Sequence, residues 1–314
     1  MAENLEVKEL EQVVVRFSGD SGDGMQLAGN IFSTVSATIG NGISTFPDYP
    51  ADIRAPQGSL TGVSGFQVHI GEGKVYTPGD KCDVLVAMNA AALKTQYKHA
   101  KPQATIIIDT DSFGPKDLEK AEFKTADYLA EMGIDEDRVV ACPISKMVKD
   151  CLADSGMDNK AIMKCRNMFA LGIVCWLFNR DVTLVENFLR EKFAKKPQIA
   201  ENNIKVVNAG FNYGHNTHAG VPATYRIESK NKVKGRYMDI TGNKATAYGL
   251  IAAAEKAGMK LFLGSYPITP ATDVLHELAK HKSLGVTTVQ CEDEISGCAS
   301  AVGASFAGAL AATS

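Results

Sequence analysis

Apolar residues along this chain fall in short runs that alternate with longer stretches of helical spacing. The first run, Val13-Val14-Val15-Arg16-Phe17, leads through a glycine-rich loop into a helical pattern over 25–39. Further short runs predict strands at 65–70, 84–88, 105–109 and 139–141, because brief apolar segments bounded by turn residues suit strands covered on both faces. Helical spacing dominates from 144 to 214. Within it, the segment Met168-Phe169-Ala170-Leu171-Gly172-Ile173-Val174-Cys175-Trp176-Leu177-Phe178 reads as a central buried helix. Strands alternating with helices predict an α/β fold with mainly parallel, doubly wound, Rossmann-like sheets. Between 215 and 235 the chain turns polar and reads as a linker, giving units at 1–214 and 236–314. The second unit repeats helix, strand, helix, strand, helix. It is shorter than the roughly 100–150 residues such domains usually need, so it is expected to be incomplete at its C-terminus. Either the chain continues or another polypeptide completes the sheet.

Composition narrows the function classes. With 45% hydrophobic and 22% charged residues the chain is ordinary for a globular protein. A formal charge of −3 argues against nucleic-acid binding, which needs a clustered basic surface. No segment reaches the roughly 18 apolar residues that span a bilayer, and the start lacks the blocks of a signal peptide. A cytoplasmic protein with no membrane contact is expected. Cys82, Cys142, Cys151, Cys165, Cys175, Cys291 and Cys298 form no C-x-x-C pair, so no metal cluster is expected on this chain.

Three segments carry candidate chemistry. The loop Ser18-Gly19-Asp20-Ser21-Gly22-Asp23-Gly24 joins a strand to a helix, where backbone amides favour anions. Its spacing is not the dinucleotide G-x-G-x-x-G, and its aspartates would repel a pyrophosphate, so it is either an anion-contacting loop or a tight turn. The segment Phe46-Pro47-Asp48-Tyr49-Pro50-Ala51-Asp52-Ile53-Arg54-Ala55-Pro56-Gln57-Gly58 is too rich in proline for a helix or central strand. It reads as a stiff loop presenting Arg54 to a carboxylate or phosphate, or as a surface loop in which Arg54 pairs with Asp48 or Asp52. In the second unit, Tyr266-Pro267-Ile268-Thr269-Pro270 ends one strand and Glu292-Asp293-Glu294 ends the next. Ligands collect beyond the carboxyl ends of strands in open α/β sheets, so turn and carboxylate should face one crevice. Glu294 is either functional or a helix cap, with Glu292 and Asp293 as alternatives. The small residues after it permit a flat group or another backbone to approach closely.

Read in order, these segments resemble a family. Residues 14–29, the 46–66 region and Asn167-Met168-Phe169-Ala170-Leu171-Gly172 look like the gamma domain of 2-oxoacid:ferredoxin oxidoreductases. Gly242-Asn243, the Tyr266–Pro270 turn and 290–304 look like the start of the alpha subunit, so that 236–314 would be the N-terminal part of a pyrimidine-binding domain. A gamma domain fused ahead of alpha is the layout of the 2-oxoglutarate type. The resemblance implies thiamine-diphosphate-dependent oxidative decarboxylation of 2-oxoglutarate to succinyl-CoA with ferredoxin as acceptor, or the reverse. An enzyme of the same family acting on pyruvate or another 2-oxoacid, and a non-catalytic assembly subunit, are the other readings. The resemblance places Mg2+ and a [4Fe-4S] cluster on a beta subunit, and implies a second copy of the heterodimer. Gly22-Asp23-Gly24 superficially matches a thiamine-enzyme magnesium motif, but no asparagine occurs at 49–53, so this chain is not expected to hold the magnesium. Glu294 takes the position of the essential glutamate that hydrogen-bonds the aminopyrimidine, a role expected to need shielding from water. Thr269 takes that of a contact to substrate carboxylate and cofactor, with Tyr266 and Ile268 beside it. Gly22, Gly24 and Arg54 are the candidates for coenzyme A. Lys244 departs from the acidic residue relatives often carry after Gly-Asn.

Overall fold

The alternating strand pattern folds into two compact units, 1–234 and 235–314. The structure is a computed structural model and describes residues 5–50, 52, 55–230, 233–235 and 237–314. The first unit contains strands β1 (Glu6–Glu9), β2 (Gln12–Asp20), β3 (Gly42–Asp48), β4 (Val63–Gly71), β5 (Cys82–Ala87), β6 (Ala100–Asp109), β7 (Val139–Cys142) and β8 (Ala223–Arg226). Its helices are α1 (Met25–Thr38), α2 (Ala90–Gln96), α3 (Pro115–Lys120), α4 (Tyr128–Met132), α5 (Ile144–Cys151), α6 (Asn159–Met163), α7 (Arg166–Leu177), α8 (Val182–Lys192) and α9 (Pro197–Thr217).

Six strands form one sheet in the order β3-β4-β2-β5-β6-β7. Its β2, β5, β6 and β7 run parallel as predicted, but β4 lies antiparallel to both β2 and β3. Residues 46–48, expected in a loop, instead finish β3, which pairs along only one side with β4. An edge strand tolerates Pro47 because the missing N–H has no ladder bond to make on the open side. The segment expected as a linker also holds structure: α9 runs to Thr217, and β8 pairs in parallel with β1. Its polar composition masked a short ladder whose stability comes from backbone bonds.

Alternation along the strands sorts side chains between two cores. Val13, Val15 and Phe17 of β2 join Phe66, Val68 and Ile70 of β4 under α1 and α7. Val14, Leu85, Ile106 and Ile108 point to the other face, under α2. Helix α7 is buried on every side, and its Gly172 lies against the backbone of α9 at Val207 and Phe211.

The second unit contains α10 (Gly242–Ala257), β9 (Leu261–Ser265), α11 (Thr272–Leu278), β10 (Val286–Gln290), α12 (Glu294–Phe306) and β11 (Leu310–Thr313). Its three strands are all parallel, with β9 in the middle between β10 and β11. Ala247, Ala254, Leu263, Val274, Leu275 and Leu278 form its small core. On the other side, α12 approaches β9 so closely that a Cβ on Gly264 would overlap Ser300 Oγ and the Gly297 carbonyl oxygen. The small residues of α12 at 297 and 300 therefore serve helix–strand packing.

Candidate functional site

Adjacent strand ends bring the turn and the acids of the second unit together. Gln290 stands opposite Ser265 in the ladder, and Cys291 N–H donates to the Ser265 carbonyl at 2.8 Å. The chain therefore leaves β9 into Tyr266–Pro270 and leaves β10 into Glu292–Glu294 side by side. The turn is tied from below by Asn243, whose Nδ2 donates to the Pro270 carbonyl at 2.8 Å. Tyr266 is half-buried, whereas Ile268 and Thr269 are exposed.

Among the three acids, the structure separates one role. Asp293 is the cap of α12: its Oδ1 accepts from Ser296 N–H at 2.7 Å, and Ser296 Oγ–H returns a bond to the Asp293 carbonyl at 2.9 Å. The Ser296 backbone donor holds the Asp293 carboxyl below the usual range. With the cap supplied, the Glu294 carboxylate is left at the first position of the helix. It makes no hydrogen bond or ion pair among the described residues. Glu294 is exposed in this chain taken by itself. Any exclusion of water from it must come from another surface.

In the first unit, the glycine-rich and proline-rich loops meet. Asp20 Oδ2 accepts from Gly58 N–H at 2.8 Å, and Ser21 N–H donates to the Gly62 carbonyl at 3.2 Å. Between them lies a cleft of about 270 Å³ lined by Asp20, Ser21, Gly22, Asp52, Ala55 and Gln57, among others. Gly24 takes a positive φ of 71° at the start of α1, and Asn167 Nδ2 donates to its carbonyl at 3.0 Å. A side chain at 24 would collide with that amide. Arg54 lies outside the described residues.

Both aspartates of the glycine loop turn inward, which the sequence reading did not anticipate. Asp23 Oδ1 pairs with Arg166 Nη2 at 2.6 Å, and its Oδ2 accepts from Asp20 N–H at 3.0 Å. Asp20 Oδ1 accepts from Asn89 Nδ2 at 2.9 Å. Burial, reinforced by the charge of Asp23, raises the Asp20 carboxyl above its ordinary value. Arg166 Nη1 also lies 3.5 Å from Asp109 Oδ2, which accepts from Ser145 Oγ–H at 2.6 Å. Asp23 is thus engaged by Arg166, while Asp20, held by Asn89 and Gly58, still lines the cleft. Asn89, Asp109, Ser145 and Arg166 were missed from sequence. One signal was present: Asp20, Asn89 and Asp109 each stand at or just past the end of an apolar strand run, where a polar residue is unneeded for the core. Among the described residues, no three His, Cys, Asp or Glu side chains converge as a metal-binding group, and no helix is long and apolar enough to cross a membrane.

Residues 14–213 match the pyruvate ferredoxin/flavodoxin oxidoreductase family. Residues 252–314 match the thiamine-diphosphate-binding family of pyruvate flavodoxin/ferredoxin oxidoreductases. The 2-oxoglutarate oxidoreductase subunit KorA of Mycobacterium tuberculosis is 46% identical over 308 residues, which is 98% of this chain and 47% of that protein. The 2-oxoglutarate synthase subunit KorA of Archaeoglobus fulgidus is 41% identical over 75 residues, 24% of this chain and 20% of its own. Among solved structures, the 2-oxoglutarate:ferredoxin oxidoreductase of Magnetococcus marinus, with 2-oxoglutarate, coenzyme A and succinyl-CoA bound, superposes with a TM-score of 0.72 at 27% identity. That match covers 97% of this chain and 47% of the other, so the chain spans about half the length of the relatives it matches end to end. With family matches to both units, in the order the motifs run, the chain belongs to the pyruvate ferredoxin/flavodoxin oxidoreductase family.

Proposed function

We propose that this chain is the fused gamma–alpha part of a 2-oxoglutarate:ferredoxin oxidoreductase acting in the cytoplasm. The reaction is oxidative decarboxylation of 2-oxoglutarate to succinyl-CoA, with the electrons passing to ferredoxin, or the reverse. Residues 1–214 are the gamma domain, 215–235 the connection and 236–314 the start of the pyrimidine-binding domain. A beta subunit supplies the diphosphate and Mg2+ half of the cofactor site and the [4Fe-4S] cluster, and two such heterodimers assemble. The choice of 2-oxoglutarate rests on the fused layout and on similarity to the 2-oxoglutarate oxidoreductase subunit and the 2-oxoglutarate:ferredoxin oxidoreductase at 46% and 27% identity.

The observation that carries this reading is the Glu294 carboxylate, uncommitted among the described residues because Asp293 has taken over capping, on the chain that leaves β10 beside the Tyr266–Pro270 turn. That arrangement fits a flat aminopyrimidine. Glu294 would hold its ring nitrogen, with Ile268 and Thr269 as neighbouring contacts, and Thr269 and Tyr266 would reach the substrate. Bound thiamine diphosphate supplies the carbanion stabilisation that cleavage beside a carbonyl requires. Glu294 contributes a carboxylate that shares a proton with the ring. That sharing gains strength only where water is excluded, so the covering surface belongs to the partner. The cleft between the two loops of the first unit, lined by Gly22, is the seat for coenzyme A, and Gly24 and Arg54 are the further candidates for its contacts.

Replacing Glu294 by Gln in the assembled complex tests the reading. Acyl-CoA formation should fall on the order of 10²-fold or more, the usual contribution of a placed proton-transfer group. Near-normal turnover by the Glu294→Gln complex would reject the role.

A further inference from the structure

Helix α7 meets the glycine-rich loop through its first two side chains. Arg166 Nη2 pairs with Asp23 Oδ1 at 2.6 Å, and Asn167 Nδ2 donates to the Gly24 carbonyl at 3.0 Å. The ion pair is largely withdrawn from water, with 12% of the Arg166 side chain and 6% of the Asp23 side chain exposed. From this loop the cleft takes Asp20, Ser21 and Gly22 as lining, and neither Asp23 nor Arg166 is part of its wall. Whatever Arg166 does for the cleft, it does through the loop.

The other end of the guanidinium is anchored to the body of the unit. Its Nη1 donates to Ser112 Oγ at 3.1 Å and to Ser145 Oγ at 3.3 Å, and lies 3.5 Å from Asp109 Oδ2. Asp109 is fully buried at the end of β6, where it accepts from the Ser145 N–H at 3.1 Å and from its Oγ–H at 2.6 Å. A planar fork with fixed donor directions suits this two-sided task, because it sets orientation as well as charge. Arg166 thus ties the loop to the end of β6 and the start of α5.

On the loop side both Asp23 oxygens are used, Oδ1 by Arg166 and Oδ2 by the Asp20 N–H at 3.0 Å. One carboxylate thereby closes the turn, and the Asp23 N–H reinforces it by donating to the Asp20 carbonyl at 2.9 Å. Gly19 leaves room for this carboxylate, since a Cβ there would stand 2.9 Å from Asp23 Oδ2. The tip of the loop is held by less. Ser21 and Gly22 are exposed, and Ser21 N–H reaches the Gly62 carbonyl at 3.2 Å. Apart from its chain neighbours, no atom lies within 4 Å of a Cβ built on Gly22.

We propose that Arg166 is a positioning residue for coenzyme A, a role that rests on the assignment of the cleft to that ligand. Through Asp23 it holds the 20–24 turn in the form the cleft presents, so the ligand meets a wall already ordered. A binding loop that must be ordered at each encounter gives up affinity. Arg166 lies outside the cleft wall and in the other unit from Glu294. Its loss should therefore fall on coenzyme A and spare both the decarboxylation chemistry and the affinity for the 2-oxoacid.

Steady-state kinetics of the complete enzyme with its beta subunit, varying coenzyme A and 2-oxoglutarate in turn, test the role. Arg166→Lys keeps the charge, but one ammonium cannot span Asp23 and the Ser145–Asp109 side together. Asp23→Asn keeps the shape and offers one acceptor oxygen where the loop uses two. Each should raise the KM for coenzyme A about tenfold, with kcat and the KM for 2-oxoglutarate within about twofold of wild type. Gly22→Leu, which intrudes on the cleft from an unobstructed position, tests the seat itself and should raise the coenzyme A KM at least about tenfold. If Gly22→Leu raises it while Arg166→Lys and Asp23→Asn leave it unchanged, the positioning role is overturned and the seat stands. An unchanged coenzyme A KM in Gly22→Leu removes the seat, and the role of Arg166 with it. A fall in kcat with both KM values rising together in the Arg166 and Asp23 variants would mark the pair as structural and overturn the proposal.

Discussion

At the residue scale, what an acidic side chain can do is set by which donors already hold it. Asp293 is spent on the backbone of its own helix, Asp23 on Arg166, and Glu294 on nothing among the described residues. Glu277 is the clearest case with a consequence for stability. Its Oε2 lies 2.7 Å from Lys280 Nζ and its Oε1 3.4 Å from His281 Nε2. Donation from Lys280, then from His281 and Tyr248, pulls the Glu277 pKa from 4.5 down to about 2. A folded-state value below the unfolded one means the unfolded chain takes up the proton first. The stabilisation is therefore complete above about pH 4.5 and disappears as pH falls through about 2. Denaturant titrations of wild type and Glu277→Gln across that window should show their stability gap closing with acid. A gap that stays constant from neutral pH to 2 would show that the carboxylate's charge does not supply it.

At the element scale, packing depends on a few positions where one backbone touches another. A Cβ on Gly172 would overlap the Val207 carbonyl oxygen and the Phe211 nitrogen, and one on Gly210 would overlap the Phe169 carbonyl. Alanine in place of helical glycine normally stabilises by up to about 1 kcal/mol. Here the obstructing atoms are backbone of the facing helix, which cannot rotate away as a side chain could, and overpacking costs about 1–3 kcal/mol. Gly172→Ala should therefore lower stability in chemical denaturation, and a stabilised variant would show that α7 and α9 can separate freely. The same comparison explains what was legible in the sequence. The strands at β2, β5, β6 and β7 and the helix α7 were readable because continuous apolar runs specify burial whatever surrounds them. β3 was not, because its proline and polar residues suit an edge, and edge status depends on β4 arriving from elsewhere in the chain. The burial of Arg16 was overlooked for a related reason. Its burial is compensated by Asp48, Gln67 and Gln96, which lie 32, 51 and 80 residues away in sequence. The Tyr266–Pro270 turn and Glu294 were legible because one strand–helix–strand step fixes their juxtaposition locally. That Asp293 rather than Glu294 caps the helix needed the dihedral angles.

At the scale of the whole molecule, the proposed assembly bears directly on α12. Its outward positions Ile295, Val302 and Phe306 are 80%, 57% and 91% exposed, an apolar surface on the same helix that opens with Glu294. Cys298 is exposed and stands four residues beyond Glu294, on the same side of the helix. It therefore reports on whatever covers the carboxylate. Thiol reagents require exposure and an accessible thiolate. Cys82, Cys142 and Cys175 offer neither, since burial pushes each thiol up to about 12. Before assembly, alkylation followed by peptide mass spectrometry should label Cys298 ahead of those buried residues. Once the beta subunit and thiamine diphosphate are bound, its labelling should slow at least about tenfold. Half-buried Cys151, in the first unit, serves as the internal reference for a general change in reactivity. If Cys298 in the active complex reacts as fast as in the unassembled chain, the face of α12 around Glu294 remains open to water. The proton-sharing role would then lack the dry environment on which its strength depends.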